Sequence, residues 1–325
     1  MTAIVQDEYG TEPEDVLRFD EIDKPTIRDD QVLVRVVAAS VDRGTWHVMA
    51  GRPYLMRVAG FGLRTPKASN PGRSVAGTVE SVGRDVTAVE PGDEVFGTCE
   101  GSFAGYARAQ PSRLAPKPAS VSFEQAAAIP VSALTALQAV RDHGRVQAGQ
   151  TVVIVGASGG VGTFAVQIAK AFGAEVTGVC STAKTHLVRA IGADHVVDYT
   201  RDDFADGDHR YDVVLDIGGN RRLSHLRRAL TPAGTLVIVG GETDGRWLGG
   251  NDRQLRAQVL SPLVSQKLGT FIASENAEDL TVLRDLVESG TIAPVIDRAY
   301  PLSEVPAAIR RMAEGQARGK IVITV

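Results

Sequence analysis

Cysteine is scarce in this chain: Cys99 and Cys180 are the only two in 325 residues. Two thiols cannot build a disulfide framework, and so few fit a reducing compartment. They also exclude a structural zinc site made of four cysteines. A strong charge of one sign is missing too. The formal net charge is −4, which gives no attraction to nucleic acid or to an anionic membrane. The six histidines show no metal-ligand spacing. No signal-peptide pattern is visible, because Met1-Thr-Ala-Ile-Val-Gln-Asp-Glu8 reaches acidic residues at once. The stretch from Val152 to Ala169 lacks charge but is broken by glycines, so it predicts strand, loop and helix rather than a membrane span. These absences predict a cytoplasmic protein without nucleic-acid or membrane partners.

The informative stretch is Thr151-Val-Val-Ile-Val155, followed by Gly156-Ala-Ser158-Gly159-Gly160-Val161-Gly162. An apolar β-branched run meets a glycine cluster. A helical pattern then places Val161, Ala165, Ile168 and Phe172 on one face. Glycines let the turn take positive φ and let the backbone approach a ligand. The N–H groups at the helix start, with the helix dipole, favour a pyrophosphate there. Further strands are expected at Glu175–Val179, His195–Tyr199, Tyr211–Ile217 and Gly234–Val239, with a helix over Ala183–Ile191. That alternation implies a parallel sheet wound on both faces, with ligands bound outside the carboxyl ends of its strands.

Residues up to about Pro118 read differently. Short alternating segments such as Gln31–Val37, Gly77–Val82 and Asp93–Phe96, punctuated by Gly and Pro, predict a β-rich domain. Phe123–His143 reads as alanine-rich helix. After the fifth strand come a helical segment, Arg253–Val264, and an apolar sixth strand, Leu268–Ala273. The tail reads as helix (Ala277–Glu288), strand (near Val295–Arg298), helix (Val305–Glu314) and strand (Lys320–Val325).

The order of these segments resembles the medium-chain dehydrogenase/reductase superfamily, and within it the zinc-independent quinone oxidoreductase branch. The carriers are Gly72-Arg-Ser-Val-Ala-Gly77-Thr-Val-Glu-Ser-Val-Gly83, Pro91-Gly-Asp-Glu-Val-Phe-Gly97, Ala126-Ala-Ala-Ile-Pro130 with Thr135-Ala136, the Gly156 loop, and Arg318-Gly-Lys320-Ile-Val-Ile-Thr-Val325. The resemblance implies an α/β protein: a GroES-like β-barrel domain over 1–121, a doubly wound Rossmann domain over 122–290, and a return to the first domain over 291–325. Zinc enzymes of the superfamily place ligands where this chain has Ser40, Arg73-Ser74 and the neighbourhood of Pro130-Val131. None of these side chains is a thiolate or imidazole, so no metal is expected.

The second strand of the sheet ends Val179-Cys-Ser181-Thr182-Ala-Lys184 without the acid that binds the ribose hydroxyls of NAD. Two hydroxyls and an ammonium suit a 2′-phosphate instead. The resemblance assigns that phosphate to Ser181, Lys184 and Tyr199, and the cofactor is expected to be NADPH. It also places Thr135, Gly156, Ser158, Gly159, Gly160, Val161, Gly162, Ile217, Gly240 and Lys320 at the cofactor. The segment Ser40–His47 corresponds to the family's active-site stretch, with Asp42 and His47 standing where many relatives carry other residues. His47 either donates or relays a proton or packs beside Trp46; Asp42 either serves catalysis or bonds its own turn. The stretch Gly51–Leu63 offers Tyr54, Met56 and Phe61 to a hydrophobic substrate. The expected function is hydride transfer from NADPH to a quinone or an α,β-unsaturated carbonyl. The alternatives are a zinc-free carbonyl or alcohol dehydrogenase and an NADPH-binding protein with little turnover. The sixth strand, as an apolar edge, predicts a homodimer.

Overall fold

The alternating segments at the start of the chain form strands: β1 (Thr2–Gln6), β2 (Leu17–Glu21), β3 (Val32–Val41), β4 (Ser74–Val82), β5 (Glu94–Thr98), β6 (Tyr106–Ala109) and β7 (Leu114–Pro116). The glycine-centred middle supplies β8 (Thr151–Val155), β9 (Glu175–Cys180), β10 (His195–Asp198), β11 (Tyr211–Asp216), β12 (Leu230–Ile238) and β13 (Lys267–Thr270). The tail adds β14 (Ile296–Pro301) and β15 (Lys320–Thr324). These elements belong to a computed structural model that describes residues 1–241, 245 and 247–325. Among the described residues no helix is long and apolar enough to cross a membrane.

Two compact units result. One comprises Met1–Leu134, Glu275–Gly290 and Pro294–Val325, the other Thr135–Ser274 and Thr291–Ala293. The first unit therefore extends past residue 121. The helix Phe123–Ala127 packs on β3 and β4, and the helix Ala277–Glu288 packs on β7. The chain from Phe123 to His143 is not one helix. It stops at Ala127 and restarts at Pro130, running as α-helix to Gln138 and as a wider π turn to His143. Pro130 explains the break, since proline lacks an N–H and clashes with a preceding turn but suits a first helical position.

The first unit holds a seven-stranded sheet, ordered β14-β15-β3-β4-β5-β7 with β6 on β3. β14 and β15 run parallel; the other pairings are antiparallel. Its inward faces meet at Val32, Val34, Val36, Val75, Val79 and Val95. A second cluster joins Ile4, Val41, Met49 and Phe103 to the tail residues Val305, Ile309, Ile321 and Ile323. The alternation seen in the sequence is that of half-buried strands.

In the second unit all six strands are parallel, ordered β10-β9-β8-β11-β12-β13. Central strands covered on both faces explain runs such as Val152–Val155, all buried. The order reverses next to β8, the topological switch point where such sheets bind ligands. β13 lies at the edge, as expected, but is shorter than the apolar run suggests. The chain beyond it leaves the sheet because Gln138 both donates to the Ser274 carbonyl (2.8 Å) and accepts from the Ser274 amide (2.9 Å).

Candidate active site

The carboxyl end of β8 runs into the glycine turn at the switch point. Gly156 takes φ 87°, open to glycine at little cost. A Cβ on Gly162 would stand 2.1 Å from the Gly156 carbonyl oxygen, so the helix Gly160–Ala171 approaches the turn as closely as main chain allows. Gly159 caps that helix without a side chain. The first N–H groups of a helix have no intrahelical acceptor. Gly160, Val161 and Gly162 therefore present donors where Ser158 and Gly159 leave the backbone bare. This cradle suits a pyrophosphate.

Ser181 and Lys184 follow β9 in a tight turn closed by the Lys184 amide on the Ser181 carbonyl (2.9 Å). Tyr199 follows β10, and its amide donates to the Cys180 carbonyl at 3.0 Å. All three expected phosphate ligands thus stand at two neighbouring strand ends. Arg221 places its guanidinium 5.9 Å from the Tyr199 ring centroid and adds a cation that the sequence did not single out. Ile217 leaves β11 with its amide 3.0 Å from the Val155 carbonyl. Gly240 follows β12, pressed so tightly on Ile217 that a Cβ would lie 2.3 Å from the Ile217 carbonyl oxygen. Thr135 sits in the helix Pro130–Gln138, partly buried.

An acid does exist near the end of β9, although not on it. Parallel register pairs Asp198 of β10 with Cys180. Its carboxylate accepts from the hydroxyls of Thr182 and Thr200 and from the Thr200 amide (3.0 Å). The Thr182 hydroxyl, foremost, holds it below the usual carboxylate range. Counting the βαβ register from the sequence would have found it. Burial, foremost, pushes the Cys180 thiol up to about 11, so it is neutral here and no nucleophile.

In the first unit, Asp42 and Lys320 meet, though 278 positions separate them. Lys320 is 1% exposed and Asp42 7%. The ammonium donates to the Val41 carbonyl (3.0 Å), to the Ser132 hydroxyl (3.1 Å) and to Asp42. Those acceptors use all three of its protons. Asp42 also accepts from Ser74 (2.9 Å) and Ser132 (2.8 Å). Two expectations change accordingly. Lys320 is not placed to hold the cofactor, because its charge is enclosed and spent on Asp42. Asp42 is not placed to carry a proton, because both its oxygens are occupied by buried donors.

His47 lies on the helix Arg43–Ala50 and packs edge-on against Trp46. Its Nδ1 is 2.9 Å from the Arg52 carbonyl oxygen. A carbonyl only accepts, so Nδ1 carries the hydrogen. Tyr54 opens a short helix, Tyr54–Met56, that continues as a π turn through Phe61. The Arg57 guanidinium lies 4.7 Å from the Tyr54 ring centroid and 4.2 Å from that of Tyr9. Tyr9 in turn donates to the Phe61 carbonyl (2.7 Å). The stretch Gly51–Leu63 is thus fastened by Tyr9 and Arg57, neither of which stood out in the sequence. Leu55, Val58 and Leu63 remain exposed along it.

The positions that carry zinc ligands in the metal-dependent branch hold other chemistry. Arg73 donates to both oxygens of Glu275 (2.7 and 2.6 Å), which also accepts from Thr98 (3.0 Å). Ser74 donates to Asp42. Ser40 is a buried hydroxyl. A fixed guanidinium and two serines do not fit a zinc ion.

Two family descriptions match the chain: "Alcohol dehydrogenase GroES-like domain" over residues 28–135 and "Zinc-binding dehydrogenase" over residues 191–323. Mouse NAD(P)H oxidoreductase RTN4IP1, a mitochondrial protein, is 34% identical over all of this chain and 89% of its own length. The chloroplastic NADPH-dependent alkenal/one oxidoreductase of Arabidopsis thaliana is 32% identical over 99% of this chain and 79% of its own. Among solved structures, the quinone oxidoreductase of Coxiella burnetii superposes with a TM-score of 0.85 at 29% identity, covering 100% of this chain and 99% of the other. With its GroES-like first unit, its parallel six-stranded sheet and relatives that match the whole of it, the chain belongs to the medium-chain dehydrogenase/reductase superfamily, in the quinone oxidoreductase-like branch.

Proposed function

We propose that this protein is a zinc-independent, NADPH-dependent reductase of quinones or α,β-unsaturated carbonyls. The observation that carries the reading is the grouping at the strand ends of the second unit. The bare amides of Gly160–Gly162 take the pyrophosphate. Ser181, Lys184 and Tyr199, with Arg221 close by, take the 2′-phosphate. Phosphate accepts charge-assisted bonds from such donors. The charge of Asp198 is partly offset by Arg201, whose Nε lies 3.7 Å from Oδ2. Relatives whose names specify NADPH and alkenal/one substrates support the choice.

NADPH supplies a hydride to an electron-poor carbon. The residues of this chain contribute the rest. Charge builds on the conjugated oxygen as the carbon is reduced, and a donor aimed at that oxygen is the main catalytic aid. In its protonated form His47 would donate to that oxygen through Nε2, while Nδ1–H stays on the Arg52 carbonyl. Tyr54, Met56 and Phe61 give an apolar surface for a hydrophobic substrate, and the Tyr9–Arg57 fastening keeps that surface formed. With Arg73 neutralised by Glu275, no metal is needed or accommodated at this position.

The protein is proposed to act as a homodimer in a reducing compartment such as the cytoplasm. Both thiols are buried and unbridged. β13 is an edge strand, and next to it Leu255, Val259, Leu263 and the 97%-exposed Ile272 form an apolar border. Such an edge favours pairing with a second copy. Rapid mixing of the protein and NADPH with quinones and enones tests the reading. Cofactor oxidation with release of hydroquinone or saturated ketone is expected; formation of an allylic alcohol from the enone supports a carbonyl reductase instead.

A further inference from the structure

Arg253 looks in the sequence like a surface arginine on an amphipathic helix. In the fold it is 7% exposed and faces the ends of two strands. Its Nη1 donates to Asp216 Oδ2 at 2.8 Å and to the Arg221 carbonyl. Its Nη2 donates to the carbonyls of Gly219 (2.6 Å) and Gly240 (3.1 Å). Asp216, at 0% exposure, accepts from the Gly219 amide (3.2 Å) through its other oxygen. One guanidinium therefore ties the loop after β11 to the loop after β12. The two loops touch through bare main chain: a Cβ on Gly219 would lie 2.6 Å from the Gly240 carbonyl carbon.

The strand order says what these loops serve. The 2′-phosphate donors stand at β9 and β10, and the pyrophosphate cradle at β8. A dinucleotide anchored there runs its second nucleotide across the ends of β11 and β12. We propose that Arg253, held by Asp216, is a positioning residue for the nicotinamide half of the cofactor, fixing the main chain of Ile217–Gly219 and Gly240 against which that half lies. This rests on the cofactor reading above. Arginine is required because its planar fork reaches two loops at once, whereas lysine offers three protons on one atom.

The test uses the full chain, calorimetric titration with NADPH and with 2′,5′-ADP, and the deuterium isotope effect with NADPH labelled at the transferred hydrogen. Arg253→Lys keeps the charge opposite Asp216 but loses the fork. It should weaken NADPH by about 10-fold or more, the order of one to two charge-assisted bonds. It should weaken 2′,5′-ADP clearly less, because of the clamped main chain only the Arg221 stretch, beside Tyr199, adjoins that fragment. The isotope effect should rise as misplacement makes hydride transfer more rate-limiting. Asp216→Asn, of the same shape, should show the same split to a smaller degree and serves if the lysine variant does not fold. Equal weakening of both ligands, or unchanged NADPH affinity with a lowered melting temperature, would show a merely structural pair and overturn the proposal. An unmutated protein that binds neither ligand overturns the cofactor reading, and this proposal with it.

Discussion

Among the described residues each unit buries one ion pair, and the two are built differently. In the first, Lys320 is a point charge held by side chains of distant segments, Asp42 and Ser132, plus one carbonyl, with Ser74 donating to Asp42. In the second, Arg253 is a fork that spends most of its donors on main-chain oxygens at the ends of β11 and β12. The first pair fastens β15 to the end of β3 and closes the fold of its unit. The second leaves the sheet alone and joins the loops after β11 and β12. A buried charge is costly either way, and what it is spent on reveals whether it serves the fold or the site.

The largest effect should come from breaking the first pair. Lys320→Met leaves Asp42 buried without its cation and should cost about 3–5 kcal/mol in urea unfolding. Adding Asp42→Asn should recover part of that loss, because the uncompensated charge is gone. At low temperature the single variant should still bind 2′,5′-ADP as the parent does. Loss of that affinity in the folded variant would erase the distinction between the pairs.

His47 lies in the first unit but outside the buried cage, so it should behave oppositely. His47→Ala should lower turnover by about 100-fold with NADPH affinity and stability unchanged. His47→Gln should keep some activity, since an amide can donate to the substrate oxygen. Turnover within about twofold of the parent, a difference of only ~0.4 kcal/mol, would make the residue structural.

Lys184 is one of the side chains proposed to hold the 2′-phosphate, with Ser181, Tyr199 and Arg221. Lys184→Ala should weaken NADPH by roughly 10- to 150-fold, for one lost charge-assisted contact of about 1.5–3 kcal/mol, and leave NADH nearly unchanged. Equal affinities of the parent protein for the two cofactors would remove the basis of the proposed preference. The smallest effect, none, is expected of metal removal. Dialysis against a chelator should leave activity intact, because Arg73 and Ser74 are already engaged by Glu275 and Asp42.

The contrast also explains what the sequence could reveal. The switch-point loop was legible because its signals are local: an apolar β-branched run, then glycines, then a helical period within Thr151–Ala171. The parallel sheet and the edge position of β13 followed from the same alternation. Neither buried pair was legible. Asp42 and Lys320 are brought together only when β15 pairs with β3, and a lysine in a family-like motif reads equally well as a ligand contact. Arg253 stands among Asp252, Gln254 and Arg256 and has the look of a solvated face. Asp198 lay between the two: invisible to a search of the second strand, but reachable by carrying the parallel register from β9 to β10. The first unit's claim on Phe123–Leu134 was hidden because small alanines pack equally well on either unit.

The central claim is hydride transfer from NADPH to a conjugated acceptor without a metal. Its most direct test is a single turnover of the chelator-treated protein with NADPH deuterated at the transferred position and an α,β-unsaturated ketone. A saturated ketone carrying the deuterium on the carbon β to the carbonyl is expected. Deuterium on the carbonyl carbon of an allylic alcohol, or turnover that returns only when zinc is added, would contradict it.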